Sequence, residues 1–318
     1  MPKTGSTTIQ AAFYSSRDQI LTEGFLYPDV SANHSIPLKS MFSRDPRVSS
    51  SAWMSPNVGE QTRDSLAADA RAKFDACLSS SEWTRLVLSA EGLSTLPIDG
   101  LVKLRDWLSQ HCDQVIVLLC LRQPFDLRLS LIQQHLKTGA TIADELRVLG
   151  KPGLFRKTAE RIGKGFGSEN IQFLIFEEML AREGGLPGAF AKEIGLSPGL
   201  VMPLKQGHLN QSMSLRACLT LDALNQKVPL YVDRKVNPQR SPRVEQMIRD
   251  LRGPRFALAR VEAEQMRAAV EDDMAFADAL FGRRVWNESL PCVADQRHHV
   301  WGVRATVLMA RLLSRVYS

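Results

Sequence analysis

Hydrophobic and polar positions along this chain follow two different periods. Four short stretches are apolar without helical spacing: GFLYP (Gly24–Pro28), RLVLSAEGL (Arg85–Leu93), QVIVLLCLR (Gln114–Arg122) and IQFLIFEEM (Ile171–Met179). Each predicts a strand, and Gln114–Arg122, the most continuous of them, has the pattern of a strand covered on both faces. Between them the period changes to that of amphipathic helices, in IQAAFYSSRDQIL (Ile9–Leu21) and over 58–78, 98–110, 126–137 and 186–194. Strands alternating with helices predict right-handed βαβ crossovers and a parallel sheet. The polar stretch 29–57 predicts a long surface loop, a kind of segment that often carries function. Beyond residue 212 the pattern is helical, over 212–226, 242–251 and 255–281. The tail 303–317 reads as an amphipathic helix that docks on the domain or on a partner.

Composition narrows the class. The 318 residues suffice for one large α/β domain or two small ones, and 44% hydrophobic with 23% charged residues excludes a disordered or collagen-like chain. The net charge of +6 reads as a solvated surface that also suits an anionic substrate or cofactor. Cys77, Cys112, Cys120, Cys218 and Cys292 show no metal-ligand spacing, which predicts reduced thiols and a cytoplasmic setting. No apolar stretch reaches the roughly 18 residues of a membrane span, and the opening residues lack the apolar core of a signal peptide. Trp53, Trp83, Trp107, Trp286 and Trp301 form no stacking platform, so they read as packing residues and no nucleic-acid partner is expected. The His298–His299 pair has no further ligand nearby and reads as exposed.

Candidate chemistry begins at PKTGSTT (Pro2–Thr8), a tight loop opening a helix. Such a loop aims several backbone N–H groups at one point, and the helix dipole favours an anion there. Gly5 permits close approach, Lys3 adds a mobile positive charge, and Ser6, Thr7 and Thr8 bring hydroxyls suited to the first turn. It is not a Walker A loop, because the lysine precedes the only glycine. A second constellation lies about 120 residues on: Arg122 ends the most apolar strand, where open α/β sheets bind ligands, and Ser130 follows in RQPFDLRLSLIQQHLKTG. Arg122 and Ser130 are candidates to share one phosphate.

Together these segments resemble the sulfotransferases that use PAPS (3′-phosphoadenosine-5′-phosphosulfate), closest to the bacterial carbohydrate-type branch. PKTGSTT is similar to the family's 5′-phosphosulfate loop, and Arg122 with Ser130 to its 3′-phosphate pair. GFLYP, VLSAEGL and LNQSMS (Leu209–Ser214) are weaker echoes. The resemblance covers roughly residues 2–282. It implies a P-loop-like three-layer αβα domain with a central parallel sheet over 1–285, a mostly helical C-terminal part, and a tail at 286–318. In the family a buried strand precedes the loop, whereas here Met1 directly precedes Pro2. The expectation is a sheet lacking its first strand, with a cavity or substitute strand at its centre and a true start upstream.

For mechanism, the resemblance implies in-line sulfuryl transfer from PAPS, released as 3′,5′-ADP, without a metal. By analogy with phosphoryl transfer, such catalysis is mostly positioning and charge stabilisation. Lys3 would stabilise the leaving oxygen. Thr4, Gly5, Ser6, Thr7 and Thr8 would hold the 5′-phosphosulfate, Arg122 and Ser130 the 3′-phosphate, and Lys205, in a late loop with Gly207 and His208, would be a further donor to it. The acceptor would be a hydroxyl or amine on a saccharide or glycolipid. Two residues are candidates for its base: His34, in the loop SANHSIP, and Glu91, at the end of VLSAE. Two other readings stand beside this one. A small-molecule kinase would need Mg²⁺ ligands and a Walker-type lysine, and an impaired binding or scaffold protein would keep nucleotide affinity alone.

Overall fold

The structure is a computed structural model and describes residues 3–43, 60–80, 82–201, 212–233, 235–291 and 293–294. In chain order the first elements are α1 (Ser6–Ser15), α2 (Arg17–Leu21), β1 (Phe25–Leu26), α3 (Ser35–Phe42), α4 (Glu60–Ser79), β2 (Arg85–Leu86), α5 (Ile98–Leu108) and β3 (Val117–Leu121). Next come α6 (Pro124–Leu136), α7 (Ile142–Leu149), α8 (Leu154–Phe166), β4 (Ile171–Ile175), α9 (Phe176–Ala181) and α10 (Gly185–Glu193). Then follow α11 (Leu215–Lys227), β5 (Tyr231–Val232), β6 (Lys235–Val236), α12 (Pro242–Arg249), β7 (Leu258–Ala259), α13 (Arg260–Glu264), α14 (Arg267–Phe281) and β8 (Val293–Ala294). The fold is mixed α/β with small parallel sheets. Among the described residues no helix is long and apolar enough to cross a membrane.

The chain divides into two compact units, Met1–Arg122 with Lys157–Gly207, and Gln123–Arg156 with His208–Ser318. In the first, β1 pairs with β2 and β3 with β4, both in parallel, with Phe25 opposite Arg85 and Val117 opposite Ile171. Among the described residues the two pairs are separate sheets. Alternate residues of the strands nevertheless enter the same two cores. Phe25, Leu174, Leu118 and Cys120 join one with Phe13 and Met179, while Leu26, Leu119, Val117 and Phe173 join the other with Leu101 and Trp107. Side chains alternating across a strand produce this division.

Several expectations are corrected. β3 is not sheathed on both faces: Leu118 and Cys120 are half-buried and Ile116 is 55% exposed. The expected loop 29–57 contains α3, because Leu38 and Phe42 face the core four residues apart; 44–59 lies outside the described residues. The strand expected over Arg85–Leu93 pairs only at Arg85–Leu86. Its end curls into a 3₁₀ turn, Glu91–Thr95, where Ser94 and Thr95 donate to the carbonyls of Glu91 and Gly92. The strand Ile171–Met179 stops at Ile175 and continues as α9, and the helix expected over 255–281 begins at Arg260 and breaks between α13 and α14. The tail 303–317 lies outside the described residues.

The second unit is organised around a buried charge. Arg128 of α6 is fully buried, as is Asp273 of α14, and their side chains meet at 2.5 Å. The guanidinium also donates to the carbonyls of Leu149 (2.9 Å), Pro124 (3.1 Å) and Ala269 (3.2 Å), while Asp273 accepts the Phe155 N–H at 2.9 Å. Removing one partner of such a pair leaves the other charge buried and alone. Asp273→Ala is therefore expected to lower the unfolding free energy by about 3–5 kcal/mol in urea titrations. The double variant Arg128→Met/Asp273→Leu should recover most of that loss, and a loss below about 1 kcal/mol for Asp273→Ala would contradict the organising role.

Candidate functional site

All described parts of this site lie in the first unit. The loop Lys3–Gly5 turns sharply into α1. Gly5 sits in the left-handed region (φ 73°), and a Cβ there would stand 2.7 Å from Leu186 Cδ1 and 3.4 Å from the Phe176 ring. Both the conformation and the packing therefore require glycine. The helix opens with Thr8 and Ile9 donating to the Gly5 carbonyl at 3.0 and 3.2 Å, so the Ser6 and Thr7 amides have no helix carbonyl behind them. No acidic residue occupies this first turn. Its positive end is thus uncompensated from within the helix.

The two sequence motifs meet here. Arg122, just past β3, donates from Nη1 to the Lys3 carbonyl at 2.9 Å, across 119 positions of sequence. Its guanidinium also lies 5.1 Å from the centre of the Phe176 ring. Thr4 is buried and hydrogen-bonds with Cys120 of β3, whose thiol burial pushes up to a pKa of about 11. Lys3, a non-glycine residue, is itself left-handed (φ 62°), and Arg122 holds it there by its carbonyl.

The Ser6 hydroxyl donates to the Glu91 carboxylate. No side chain caps the α1 N-terminus, so the expected hydroxyl-to-backbone bonding of the first turn gives way to this longer-range contact. Glu91 is delivered by a staple between α3 and the segment after β2. The His34 N–H donates to the Ser89 carbonyl at 3.0 Å, and the Ser89 N–H donates to His34 Nδ1 at 3.2 Å. Three residues on, the Gly92 N–H donates to Ser35 Oγ at 3.0 Å. His34 Nε2 faces the Pro28 carbonyl at 3.1 Å, which assigns the ring proton to Nε2 and the lone pair to Nδ1. The ring is fully buried, 4.7 Å from the Tyr27 ring and 5.8 Å from the Phe74 ring. Burial among these rings lowers the His34 pKa to about 4.

Lys39, one turn along α3, completes the cluster and was not singled out in the sequence. Its chain lies across Gly92, where a Cβ would stand 2.8 Å from Cε and 3.0 Å from Nζ. Burial lowers its proton affinity and the charge of Glu91 opposes that. Its one sequence signal is a position five residues after His34, on the helix that the staple pins.

The expected site residues thus divide. Lys3, Thr4, Gly5, Ser6 and Arg122 come together, with Glu91 against Ser6. Thr7 is exposed and Thr8 half-buried on the first turn of α1. His34 pins the segment that carries Glu91 and has both ring nitrogens engaged. Ser130 is half-buried on α6, in the second unit, and Lys205 lies outside the described residues.

The buried neutral imidazole has a consequence in pH. The folded state holds His34 near pKa 4 and the unfolded chain near 6.5, so below pH 6.5 the unfolded state binds the extra proton and gains. Stability is complete above pH 6.5 and falls towards pH 4 by up to about 1.4 kcal/mol per unit from this group. Urea titrations of the wild type and His34→Gln should show a stability difference that shrinks as pH drops through this window. A difference independent of pH would contradict the buried, neutral state.

No protein-family model, curated protein or solved structure matches the chain, so a functional reading rests on its own residues and their geometry.

Proposed function

We propose that the chain is a sulfotransferase that moves a sulfuryl group from PAPS to an acceptor hydroxyl or amine, on a saccharide or glycolipid. The observation that supports this most is the hydrogen bond from Arg122 to the Lys3 carbonyl, which ties together the two anion-binding motifs. A loop of open amides, an ammonium and a guanidinium at one helix opening suit a donor with anionic groups at two positions. The P-loop-like three-layer arrangement belongs to the same proposal, and the strands that feed two cores support it.

In this reading the acceptor oxygen attacks the donor sulfur. The bond from sulfur to the bridging 5′-phosphate oxygen breaks, leaving 3′,5′-ADP and a sulfate ester. Lys3 stabilises the charge that builds on the departing oxygen, and the Gly5–Thr8 turn holds the 5′-phosphosulfate. Arg122 serves the 3′-phosphate. Glu91 takes the acceptor proton. It is preferred to His34 because the only lone pair of the His34 ring already accepts the Ser89 N–H, so that ring has nothing left to receive a proton.

Calorimetry with 3′,5′-ADP, 5′-AMP and Mg-ATP tests the nucleotide, and transfer of labelled sulfate from PAPS tests the reaction. Preference for 3′,5′-ADP over 5′-AMP is expected, reduced about 10- to 100-fold by Arg122→Ala, the loss of a hydrogen-bonded charge. Glu91→Gln should keep nucleotide affinity while lowering transfer by about 10²–10⁴-fold. Preference for Mg-ATP would replace this reading by a kinase. Binding of 3′,5′-ADP without transfer to any acceptor would replace it by a nucleotide-binding scaffold.

A further inference from the structure

The contact between Ser6 and Glu91 creates an electrostatic conflict. It sets a carboxylate against the first turn of α1, the position that the open amides, Lys3 and the helix dipole make favourable for an anion. An ionised carboxylate beside an incoming phosphate or sulfate repels it, and near a partly buried site that repulsion is weakly screened. Unless a cation offsets it, Glu91 would oppose the ligand that the loop is built to hold.

The offsetting cation is present. Lys39 lies against Gly92, the residue next to Glu91, and glycine is what lets it lie there: any side chain at 92 would collide with Cε and Nζ and with Ser35 Cβ at 2.9 Å. The lysine comes from α3, whose first turn is stapled to Ser89 and Gly92, so ammonium and carboxylate are carried by one rigid piece. Among the described residues the Lys39 ammonium makes no hydrogen bond or close ion pair, and the charge it senses is that of Glu91. It is half-buried, so its charge acts over a short range with less water in between.

We propose that Lys39 is a positioning residue of the anion loop: its ammonium neutralises Glu91 where Ser6 holds it, so that an anionic group can enter beside the carboxylate. The role rests on the sulfotransferase reading for the identity of the nucleotide, and on the loop alone for the binding of an anion. Lys39 acts through Glu91, and its effect is conditional on the charge at position 91.

A double-variant cycle reads that condition. The full chain and its variants Lys39→Met, Lys39→Gln, Lys39→Arg, Glu91→Gln and Lys39→Met/Glu91→Gln are titrated by calorimetry with inorganic pyrophosphate and with 3′,5′-ADP. Lys39→Met and Lys39→Gln should each weaken binding of the probes roughly tenfold, and Lys39→Arg should stay within about twofold of the wild type. Removing the carboxylate charge as well should restore affinity in the double variant, which a lysine serving only to pack α3 would not do. Unchanged binding in both Lys39→Met and Lys39→Gln overturns the proposal, as does a loss that persists in the double variant. If the wild type binds pyrophosphate but does not prefer 3′,5′-ADP to 5′-AMP, the sulfotransferase reading fails while the cycle is still decided on pyrophosphate. A wild type that binds neither probe overturns both.

Discussion

The paired hydrogen bonds between His34 and Ser89 are the constraint from which the rest of the site follows. Each residue gives the other its backbone N–H, one to a carbonyl and one to an imidazole lone pair, which fixes α3 against the segment leaving β2. Two residues further on that segment turns, and the turn sets Glu91 against Ser6 at the head of α1. A charged imidazole could not serve here, because protonated Nδ1 would face the Ser89 N–H donor to donor. Burial beside Tyr27 and Phe74 keeps the ring neutral, so the low proton affinity of His34 is what makes the staple work at ordinary pH.

The two residues that compete in sequence for the role of base thus become two parts of one device. His34 supplies position, and in the proposed reading Glu91 supplies the proton acceptor. Lys39 joins them because it belongs to the helix that His34 starts, and Gly92 because it leaves room for the lysine. Charge is shared out around the turn: Lys3 and Arg122 belong to the loop side, Lys39 to α3, and Glu91 is held against Ser6. That arrangement favours an anion at the helix opening without dispensing with a proton acceptor.

Much of this was legible in the sequence, unevenly. The loop PKTGSTT, the strand ending at Arg122 and the first helix could be read because each is a local pattern, a glycine before a helix or an unbroken apolar run. α3 could not: it is short, it contains Pro37 and it lies in a polar stretch, so only its packing through Leu38 and Phe42 declares it. The ends of β2 and β4 were overextended because Glu91–Thr95 and Phe176–Ala181 keep apolar residues while their backbones curl. The burial of Arg128 has no local sign in the sequence, because a charge in an amphipathic helix usually faces water. A fully buried arginine is rare, and its partner stands 145 positions away on another helix.

The strands raise the question of what holds the Lys3–Gly5 loop in its shape. Among the described residues the β1–β2 and β3–β4 pairs contribute to common cores and form separate ladders. The loop's support comes from side chains, one at each residue. Arg122 holds the Lys3 carbonyl, Cys120 meets the Thr4 side chain, and Leu186 with Phe176 closes over Gly5. The left-handed turn at Lys3 costs about 1–2 kcal/mol. A charge-assisted hydrogen bond from Arg122 is of the size to offset it. Arg122 therefore serves two ends with one group: one guanidinium nitrogen maintains the loop in a strained shape, and the guanidinium as a whole places positive charge where that shape gathers amides.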